Sequence, residues 1–341
     1  MAKQGRIFAV IFLALLIPVL LKAPESEAKV YRGKCKSNLT WSYDSKTKTM
    51  VIDCKGDMPD DEQFYDLDMG WRKYYFKTKK VILKKGISSI GAGAFYNFQK
   101  LEEVVLPEGL RIIKYDAFDG CRKLQFINKP STLEVIEKDV FWDVKIKSIS
   151  LKNLKKLGSE CFSGAKLQSV DIPAKCKIED SVFWSCKKLK KVTFEKGVKR
   201  ISYGMFRETG IKNIDIPGSV TQIGTYAFAN CQSLKKAIIN EGVKKISKDA
   251  FSNTALKEIT IPSTVTKLGK NAFRWESTEK SSLKKVVIRS KNIKKWGTMV
   301  FGATRDDLVI YVPQSKKAEY EKILRSTNGL DFHAKIVGKK W

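Results

Sequence analysis

The 341-residue chain carries 65 Lys and Arg against 36 Asp and Glu, a formal charge of +29, and 43% of its residues are hydrophobic. A chain this rich in apolar residues can build a core, which excludes simple disorder. The excess of cations predicts an anionic partner, whether nucleic acid, acidic polysaccharide, lipid headgroup surface or acidic protein. A single histidine, His333, disfavours His-based catalysis and multi-His metal sites.

The N-terminal segment has the layout of a secretory signal peptide. Lys3 and Arg6 precede an apolar run over residues 7–21, and small residues follow up to a cleavage position after Ala28. The alternative is a membrane anchor, but the run is shorter than the roughly 20 apolar residues that span a bilayer. We therefore predict a signal peptide over residues 1–28 and no transmembrane span after its removal. The mature protein is expected outside the cell, released or held at the cell surface, so nucleic acid is not an expected partner.

Phenylalanine recurs at steps of 21–23 residues, with one final step of 28. A period this regular marks a repeat architecture and argues against a set of independent globular folds. The ten repeat phenylalanines are Phe95, Phe118, Phe141, Phe162, Phe183, Phe206, Phe228, Phe251, Phe273 and Phe301.

Four repeat units start with a short alternating segment that ends at a proline, as in residues 211–217, and the unit continues with a Val-x-x-Ile step before the phenylalanine, as in residues 220–223. Alternation predicts a strand with one buried face, and the proline ends it because proline cannot donate a ladder hydrogen bond. One such strand cannot bury its apolar face alone. Stacked units are therefore predicted to form a long parallel sheet over a continuous core, with strands about 4.8 Å apart.

This unit resembles the BspA-like, treponemal-type leucine-rich repeat family, whose unit reads approximately L-x-x-V-x-I-P-x-x-V-x-x-I-G-x-x-A-F-x-x-C. The match covers residues 81–313 and is strongest over residues 211–273, whereas five units replace the alanine and residues 275–282 are an insertion. The resemblance implies a repeat solenoid with short parallel β-strands and irregular or short-helical connections. We predict about ten repeats of 21–28 residues over residues 79–313.

Both ends of the chain also resemble this family. Residues 29–78 resemble the β-hairpin segment that precedes the repeats in many members, and residues 310–320 resemble the closing strand and short helix. Because the exposed ends of a solenoid need covers, we predict a small β-hairpin cap over residues 29–78 and a C-terminal strand–helix cap over residues 314–341.

The seven cysteines divide into two groups. Cys35 and Cys54 flank the N-terminal hairpin and are a candidate disulfide, but they could equally stay reduced because the strand register cannot be read from the sequence. The other five are expected to be buried, unbonded core residues, since equivalent positions in nonadjacent units are too far apart to bond. They are Cys121, Cys161, Cys176, Cys186 and Cys231.

The sequence predicts no catalytic site, no cofactor and no metal site. A Ser-His-Asp or Cys-His arrangement would depend on His333, which is more simply an ordinary residue of the C-terminal cap. One acidic cluster could hold calcium, but it lacks the ligand spacing of an EF-hand loop and is otherwise a solvated acidic loop. Its members are Asp57, Asp60, Asp61, Glu62, Asp66 and Asp68.

Lysine recurs at the first two exposed positions of consecutive repeat strands. Like charges stacked at strand spacing repel one another, so this column is either an electrostatic track for an acidic linear partner or a device that solubilises the sheet. The first position holds Lys190, Lys212, Lys235, Lys257 and Lys284, and the second adds Lys191, Lys236 and Lys285.

Aromatic residues directly follow the repeat phenylalanine in three units, at Tyr96, Trp142 and Trp184. Their amphipathic rings could stack on sugars or insert into a protein partner. They could equally pack against the neighbouring unit.

These features predict a secreted or cell-surface, non-enzymatic leucine-rich repeat protein that mediates adhesion or protein–protein interaction through its repeat sheet. The expected partner is an extracellular protein or an acidic glycan or wall polymer, and the expected state is a monomer. The first alternative is a structural, envelope-associated protein held to an anionic cell wall by bulk positive charge. An extracellular enzyme is the least supported alternative.

Overall fold

Most repeat units fold into two short strands joined by a tight turn, followed by a loop that carries the repeat phenylalanine. In one unit, residues 213–216 form the first strand, Val220 N donates to Pro217 O at 2.9 Å across the turn, and residues 222–223 form the second strand. The computed structural model describes residues 28–35, 39–61, 69–276, 281–303, 305–327, 330 and 333–341. The predicted signal peptide therefore lies outside the described residues, except for Ala28.

The first strands of the units, together with the terminal hairpin strands, form the long-strand face. They are β1 (Val30–Cys35), β2 (Leu39–Asp44), β3 (Thr49–Cys54), β5 (Lys80–Leu83), β7 (Glu103–Val105), β9 (Phe126–Ile127), β12 (Ser169–Ile172), β14 (Lys191–Phe194), β16 (Asn213–Ile216), β18 (Lys236–Ile239), β20 (Glu258–Ile261), β22 (Lys285–Ile288), β24 (Val309–Pro313) and β25 (Lys335–Lys339).

The second strands form the short-strand face. They are β4 (Gly56–Asp57), β6 (Ile87–Ile90), β8 (Ile112–Ile113), β10 (Val135–Ile136), β11 (Lys156–Leu157), β13 (Lys177–Ile178), β15 (Arg200–Ile201), β17 (Gln222–Ile223), β19 (Lys245–Ile246), β21 (Lys267–Leu268) and β23 (Lys295–Trp296). The pairs between repeat strands are parallel on both faces, with one interruption of the short-strand face between β13 and β15 and several of the long-strand face. The inward aliphatic residues of the units bury one shared core.

The repeat phenylalanines stack into one column through that core. All nine successive ring pairs from Phe95 to Phe301 have centroids 5.1–6.0 Å apart and interplanar angles of 18° or less. Rings at this separation gain stacking energy beyond that of burial alone. The column explains why the phenylalanine period is so regular, since each ring needs a partner at the same height in the next unit.

The N-terminal hairpin covers the first unit. Strands β1, β2 and β3 are antiparallel, and β3 then pairs in parallel with β5, so the hairpin continues the long-strand face. Beneath it, the Tyr43 and Tyr74 rings stack with centroids 4.3 Å apart. Trp71 is fully buried and donates from Nε1 to Ala94 O at 3.2 Å, which ties the cap to the first repeat loop.

The C-terminal end is closed by β24, a short 3₁₀ turn at Gln314–Lys316, the helix α1 (Lys317–Thr327) and β25. Strand β25 returns beside β24 in parallel register. Tyr320 of α1 is fully buried; its hydroxyl donates to Ser290 O and accepts from Ile293 N, both at 3.2 Å. The predicted solenoid fold, with its hairpin cap and strand–helix cap, is confirmed.

The parallel strands that the sequence predicts are present, but the long-strand face is divided into several separate ladders. Within residues 69–276 its ladder is interrupted before β12, before β16 and before β20, and residues 146–149 form no strand. These four places follow units in which the phenylalanine stands five residues before the next core aliphatic residue, as at Phe206 and Ile211. Where the spacing is six, as at Phe228 and Leu234, the next strand is paired. Each loss of strand pairing therefore occurs where the connection from the phenylalanine to the next core aliphatic residue is one residue shorter.

A left-handed backbone conformation recurs in every repeat loop. The residue two before each repeat phenylalanine has φ between 52° and 62° in all ten units. A second such residue stands two after the phenylalanine in nine units. Asn, Asp, Gly and Ser occupy most of these positions, in keeping with the lower cost of this conformation for glycine and for short polar side chains.

Candidate binding surfaces

The predicted lysine column lies exposed along the long-strand face. Lys235 N donates to Lys212 O at 2.9 Å, and Lys284 N donates to Lys257 O at 2.8 Å, so these residues are direct neighbours on adjacent strands. Lys190 precedes β14 and its N–H donates to Gln168 O. Because the sheet is interrupted before β16 and before β20, the column consists of three short pieces and is not one continuous ladder.

The second lysine position shows partial compensation of charge. Lys191 pairs in register with Ser169, and Lys236 with Asn213, so neither faces an acidic residue across the ladder. Lys285 is in register with Glu258, and their side chains form an ion pair at 3.4 Å. The surface around β14, β16, β18, β20 and β22 is therefore basic with one acidic exception in this position.

A groove of about 400 Å³ crosses the interruption between β18 and β20. Its floor includes the outward residues of three strands, Ile238, Thr260 and Val287, and Ile238 is 40% exposed. Lys236 and Lys285 stand beside it. This groove was not predicted from the sequence; the signal was an isoleucine at an outward position where β12, β14, β16 and β20 carry Asp or Thr.

The three predicted aromatic residues lie on the loops, away from both sheets, and are not brought together. Trp142 is 44% exposed, whereas Tyr96 and Trp184 are partly buried. The Trp184 ring lies 5.6 Å from the guanidinium of Arg207, which is equally close to the Tyr226 ring of the next unit. Trp184 thus packs against its neighbour, and Trp142 is the most exposed of the three.

The three described members of the acidic cluster, Asp57, Asp60 and Asp61, each contact a residue outside the cluster, whereas the sequence favoured a solvated loop. Asp57 accepts from the hydroxyls of Ser88 and Ser89, both at 2.7 Å, and these bonds lower its pKa. Asp60 accepts from Lys114 Nζ at 2.9 Å.

Asp61, the next member, lies buried 3.4 Å from Arg72 Nε. Glu62, Asp66 and Asp68 lie outside the described residues. Among the residues that are described, no group of three or more His, Cys, Asp or Glu side chains is placed to hold a metal ion.

The candidate disulfide between Cys35 and Cys54 is not formed. Both residues pair with Leu39, one from each side of β2, so they are two strands apart. That separation is about 10 Å, beyond the limit of about 7 Å between bonded Cα atoms. Cys35 Sγ instead lies 3.9 Å from Met69 Sδ.

The repeat cysteines are buried as expected, and they follow a rule that the sequence did not show. Each of Cys121, Cys186 and Cys231 donates from Sγ to the carbonyl of the repeat phenylalanine one unit earlier, at 2.9–3.2 Å. Burial raises the pKa of Cys186 to about 12 and that of Cys231 to about 11, which keeps the thiols protonated. Cys161 is also buried, whereas Cys176 is only half-buried, because it borders an interruption between β13 and β15.

In the part of the chain that the structure describes, no helix is long and apolar enough to cross a bilayer. The described residue His333 is exposed near the C-terminus.

The fold is shared with solved bacterial proteins. A leucine-rich repeat protein from Bacteroides ovatus aligns at 22% identity over 89% of this chain and 89% of its own, with a TM-score of 0.57. A leucine-rich repeat protein from Eubacterium ventriosum aligns at 20% identity over 83% of this chain and 84% of its own, also with a TM-score of 0.57. At these identities the likeness shows the fold alone. No curated protein matches the sequence.

The sequence itself matches a family. The family model for the BspA type leucine rich repeat region matches residues 73–190 and 155–280 in six copies, which together span more than half of the chain. The chain therefore belongs to the BspA type leucine rich repeat family.

Proposed function

We propose that this protein is secreted or held at the cell surface, and that it binds an extracellular partner through its long-strand face in adhesion or protein–protein interaction. Proteins of this repeat family typically act at surfaces or in protein interactions. The observation that carries the proposal is the groove at Ile238, where this exposed side chain and the half-buried Val287 lie beside Lys236 and Lys285. Protein interfaces combine an apolar centre with a polar rim in this way.

The charges of this face favour an acidic partner. Lysines at the first two positions outnumber the one acidic residue, Glu258, that stands among them. A positive face steers an acidic partner toward the groove and raises its association rate, an effect that salt screens. An acidic extracellular protein and an acidic glycan or wall polymer both fit this charge.

The test replaces Lys190, Lys212 and Lys235 by Glu in the protein without residues 1–28. Retention on immobilised mucin, an acidic extracellular glycoprotein, is expected to weaken by about tenfold or more and to fall with added salt. The control variant replaces three exposed lysines that lie away from the repeat strands, Lys85, Lys123 and Lys152, and is expected to change retention much less.

A second candidate function is attachment to an anionic envelope by bulk charge alone, which the net charge of +29 supports. It predicts equal losses for the two triple variants, because each changes the total charge by the same amount. Equal losses would therefore favour bulk attachment, and unchanged retention in both variants would exclude an electrostatic role for the long-strand face. An enzymatic function has no comparable support among the described residues.

A further inference from the structure

A second basic surface lies on the short-strand face. We call it the short-strand track and define it by two positions, the residue directly before each of the strands β15, β17, β19, β21 and β23 and the first residue of that strand; eight of these ten residues are exposed and two are half-buried. The first position holds Lys199, Thr221, Lys244, Thr266 and Lys294, and the second holds Arg200, Gln222, Lys245, Lys267 and Lys295. Seven of these ten residues are basic and none is acidic.

The track is continuous, unlike the lysine column of the long-strand face. Its five strands pair in parallel without interruption, in the order β15, β17, β19, β21 and β23. After Lys199, each first-position N–H donates to the first-position carbonyl of the preceding strand at 2.9 Å, as from Lys244 N to Thr221 O. The basic side chains are thus held at the regular spacing of adjacent strands, about 4.8 Å.

The same positions further toward the N-terminus show what a neutralised surface looks like in this fold. There Glu134 stands between Arg111 and Lys155 and binds both, at 3.2 and 2.9 Å, and its pKa is lowered by these two partners. Glu179 likewise binds Lys156 at 3.4 Å and Lys177 at 3.3 Å.

Within the described residues, no Asp or Glu forms an ion pair with any basic residue of the short-strand track. The contrast extends to the whole half of the solenoid. Residues 191–300 carry 22 Lys and Arg against eight Asp and Glu, whereas residues 81–190 carry 20 against 13. Unpaired like charges at strand spacing repel one another and oppose folding, and a bound polyanion relieves that repulsion.

The composition of the track indicates the kind of ligand. None of the large exposed apolar side chains of the protein belongs to the track. A protein interface would present such anchors at its centre. The neutral members are instead hydrogen-bonding groups. The hydroxyls of Thr221 and Thr266 donate to the carbonyls of Lys199 and Lys244, which leaves their oxygen lone pairs open to sugar hydroxyls.

We propose that the short-strand track binds a linear acidic polysaccharide, whose regularly spaced carboxylates lie along the basic side chains. The short-strand track and the long-strand face are separate binding surfaces. A polysaccharide bound to the track would hold the protein in place and leave the long-strand face free to bind its own partner. The inference rests on the proposed function in one respect, that an extracellular location brings the protein to such polymers.

The first test compares two variants matched in charge and in number of substitutions, both on the short-strand face. One carries Lys245→Gln, Lys267→Gln and Lys295→Gln in the track. The other carries Lys155→Gln, Lys156→Gln and Lys177→Gln, at lysines that Glu134 and Glu179 neutralise. Titrated with polygalacturonate, the first is expected to bind about tenfold more weakly than the unmodified protein, and the second to lose less than about threefold. Equal losses would overturn the proposal.

The second test uses the unmodified protein and so does not depend on how the variants fold. Exposed lysines are acetylated with and without polygalacturonate, and the modified sites are located by mass spectrometry. Lys245, Lys267 and Lys295 are expected to be protected, while Lys212 and Lys235 on the long-strand face remain reactive. Lack of protection in the track overturns the proposal, as does equal protection of both faces.

Polyglutamate of equal charge density serves as a third arm. If it binds as tightly as polygalacturonate and protects the same lysines, the assignment to a polysaccharide is wrong. The mucin experiment with the Lys190, Lys212 and Lys235 variant reports separately on the long-strand face. Protection of the track alongside unchanged mucin retention would therefore contradict the proposed function and leave this inference standing.

Discussion

Asp119 directly follows a repeat phenylalanine, in a loop whose neighbours are also acidic. Burial, assisted by the nearby charges of Asp116 and Asp139, raises its pKa to about 7. The pKa values of the Asp116 and Glu160 carboxyl groups are also raised, in both cases first by burial and second by the nearby charge of Asp139. The repeat thus stacks carboxylates from successive loops, and the charged form of Asp119 is disfavoured in the folded protein.

The pH dependence follows from the direction of this shift. A carboxyl whose pKa is higher in the folded than in the unfolded state favours folding fully below the unfolded pKa, and that contribution is lost as pH rises through the folded value. For Asp119 the loss extends from about pH 4 to about pH 7. Asp119→Asn should therefore raise the melting temperature at about pH 8 and leave it unchanged at about pH 4. Thermal denaturation at both pH values measures this; an equal change at both would contradict the assignment.

Some residue-scale features were predictable and others were not. The burial of Cys121, Cys186 and Cys231 followed from their phase with the phenylalanines. Their bonds to the preceding unit's carbonyl did not, because the sequence does not show how far one loop overlaps the next. The failure of the Cys35–Cys54 pairing has the same origin, since strand register decides it.

At the scale of the element, some repeat loops carry glycine and others carry a residue with a side chain at equivalent left-handed positions. Gly164 and Ser185 both stand two residues after a repeat phenylalanine, with φ of 71° and 56°. Glycine adopts this conformation without steric cost, whereas a residue with a Cβ is strained by about 1 kcal/mol. A Cβ on Gly164 would also lie 3.4 Å from Asp143 Cα.

The two positions therefore predict substitutions of opposite sign. Gly164→Ala should lower the free energy of unfolding by about 1 kcal/mol, and Ser185→Gly should leave it unchanged or raise it by up to about 1 kcal/mol. Urea denaturation of both variants compares them directly. Ser185→Ala, which keeps the Cβ, controls for loss of the hydroxyl; equal signs for the two principal substitutions would refute the interpretation.

The elements themselves were largely readable from the sequence, and their pairing was not. Alternation and the phenylalanine period placed the strands of each unit. The interruptions of the long-strand face depend on whether five or six residues separate a phenylalanine from the next core aliphatic residue. That difference was visible in the sequence, but its effect on pairing needed the stacked geometry. The short-strand track was missed because two-residue strands give too little alternation to mark a face.

At the scale of the whole molecule, charge is distributed unevenly along a regular scaffold. The excess of cations is larger in residues 191–300 than in residues 81–190, although the stacking of the core is the same. Apart from Lys190, the basic residues of both candidate binding surfaces lie in the more basic half. The repeat fold sets the spacing of the lysines, and the small number of acidic neighbours makes the electrostatic potential around them positive.

This distribution predicts that moderate salt stabilises the protein. Raising NaCl from about 0.01 to about 0.1 M shortens the Debye length from about 30 to about 10 Å and screens repulsion between stacked lysines. The melting temperature should rise over this range. It should rise less in the variant with Lys245, Lys267 and Lys295 replaced by Gln, because that variant has fewer like charges to screen. A melting temperature that falls with salt would show that attractive ion pairs outweigh the repulsion.

The phenylalanine column makes each repeat an interchangeable module at the level of the gene. In-frame duplication or loss of about 22 codons would add or remove one phenylalanine ring of the column, while both caps would keep the units that they now contact. Each such event would lengthen or shorten both binding surfaces by one strand. Recombination between repeats could therefore adjust the valency of this protein for a polymeric ligand in whole-number steps, with no new fold to evolve.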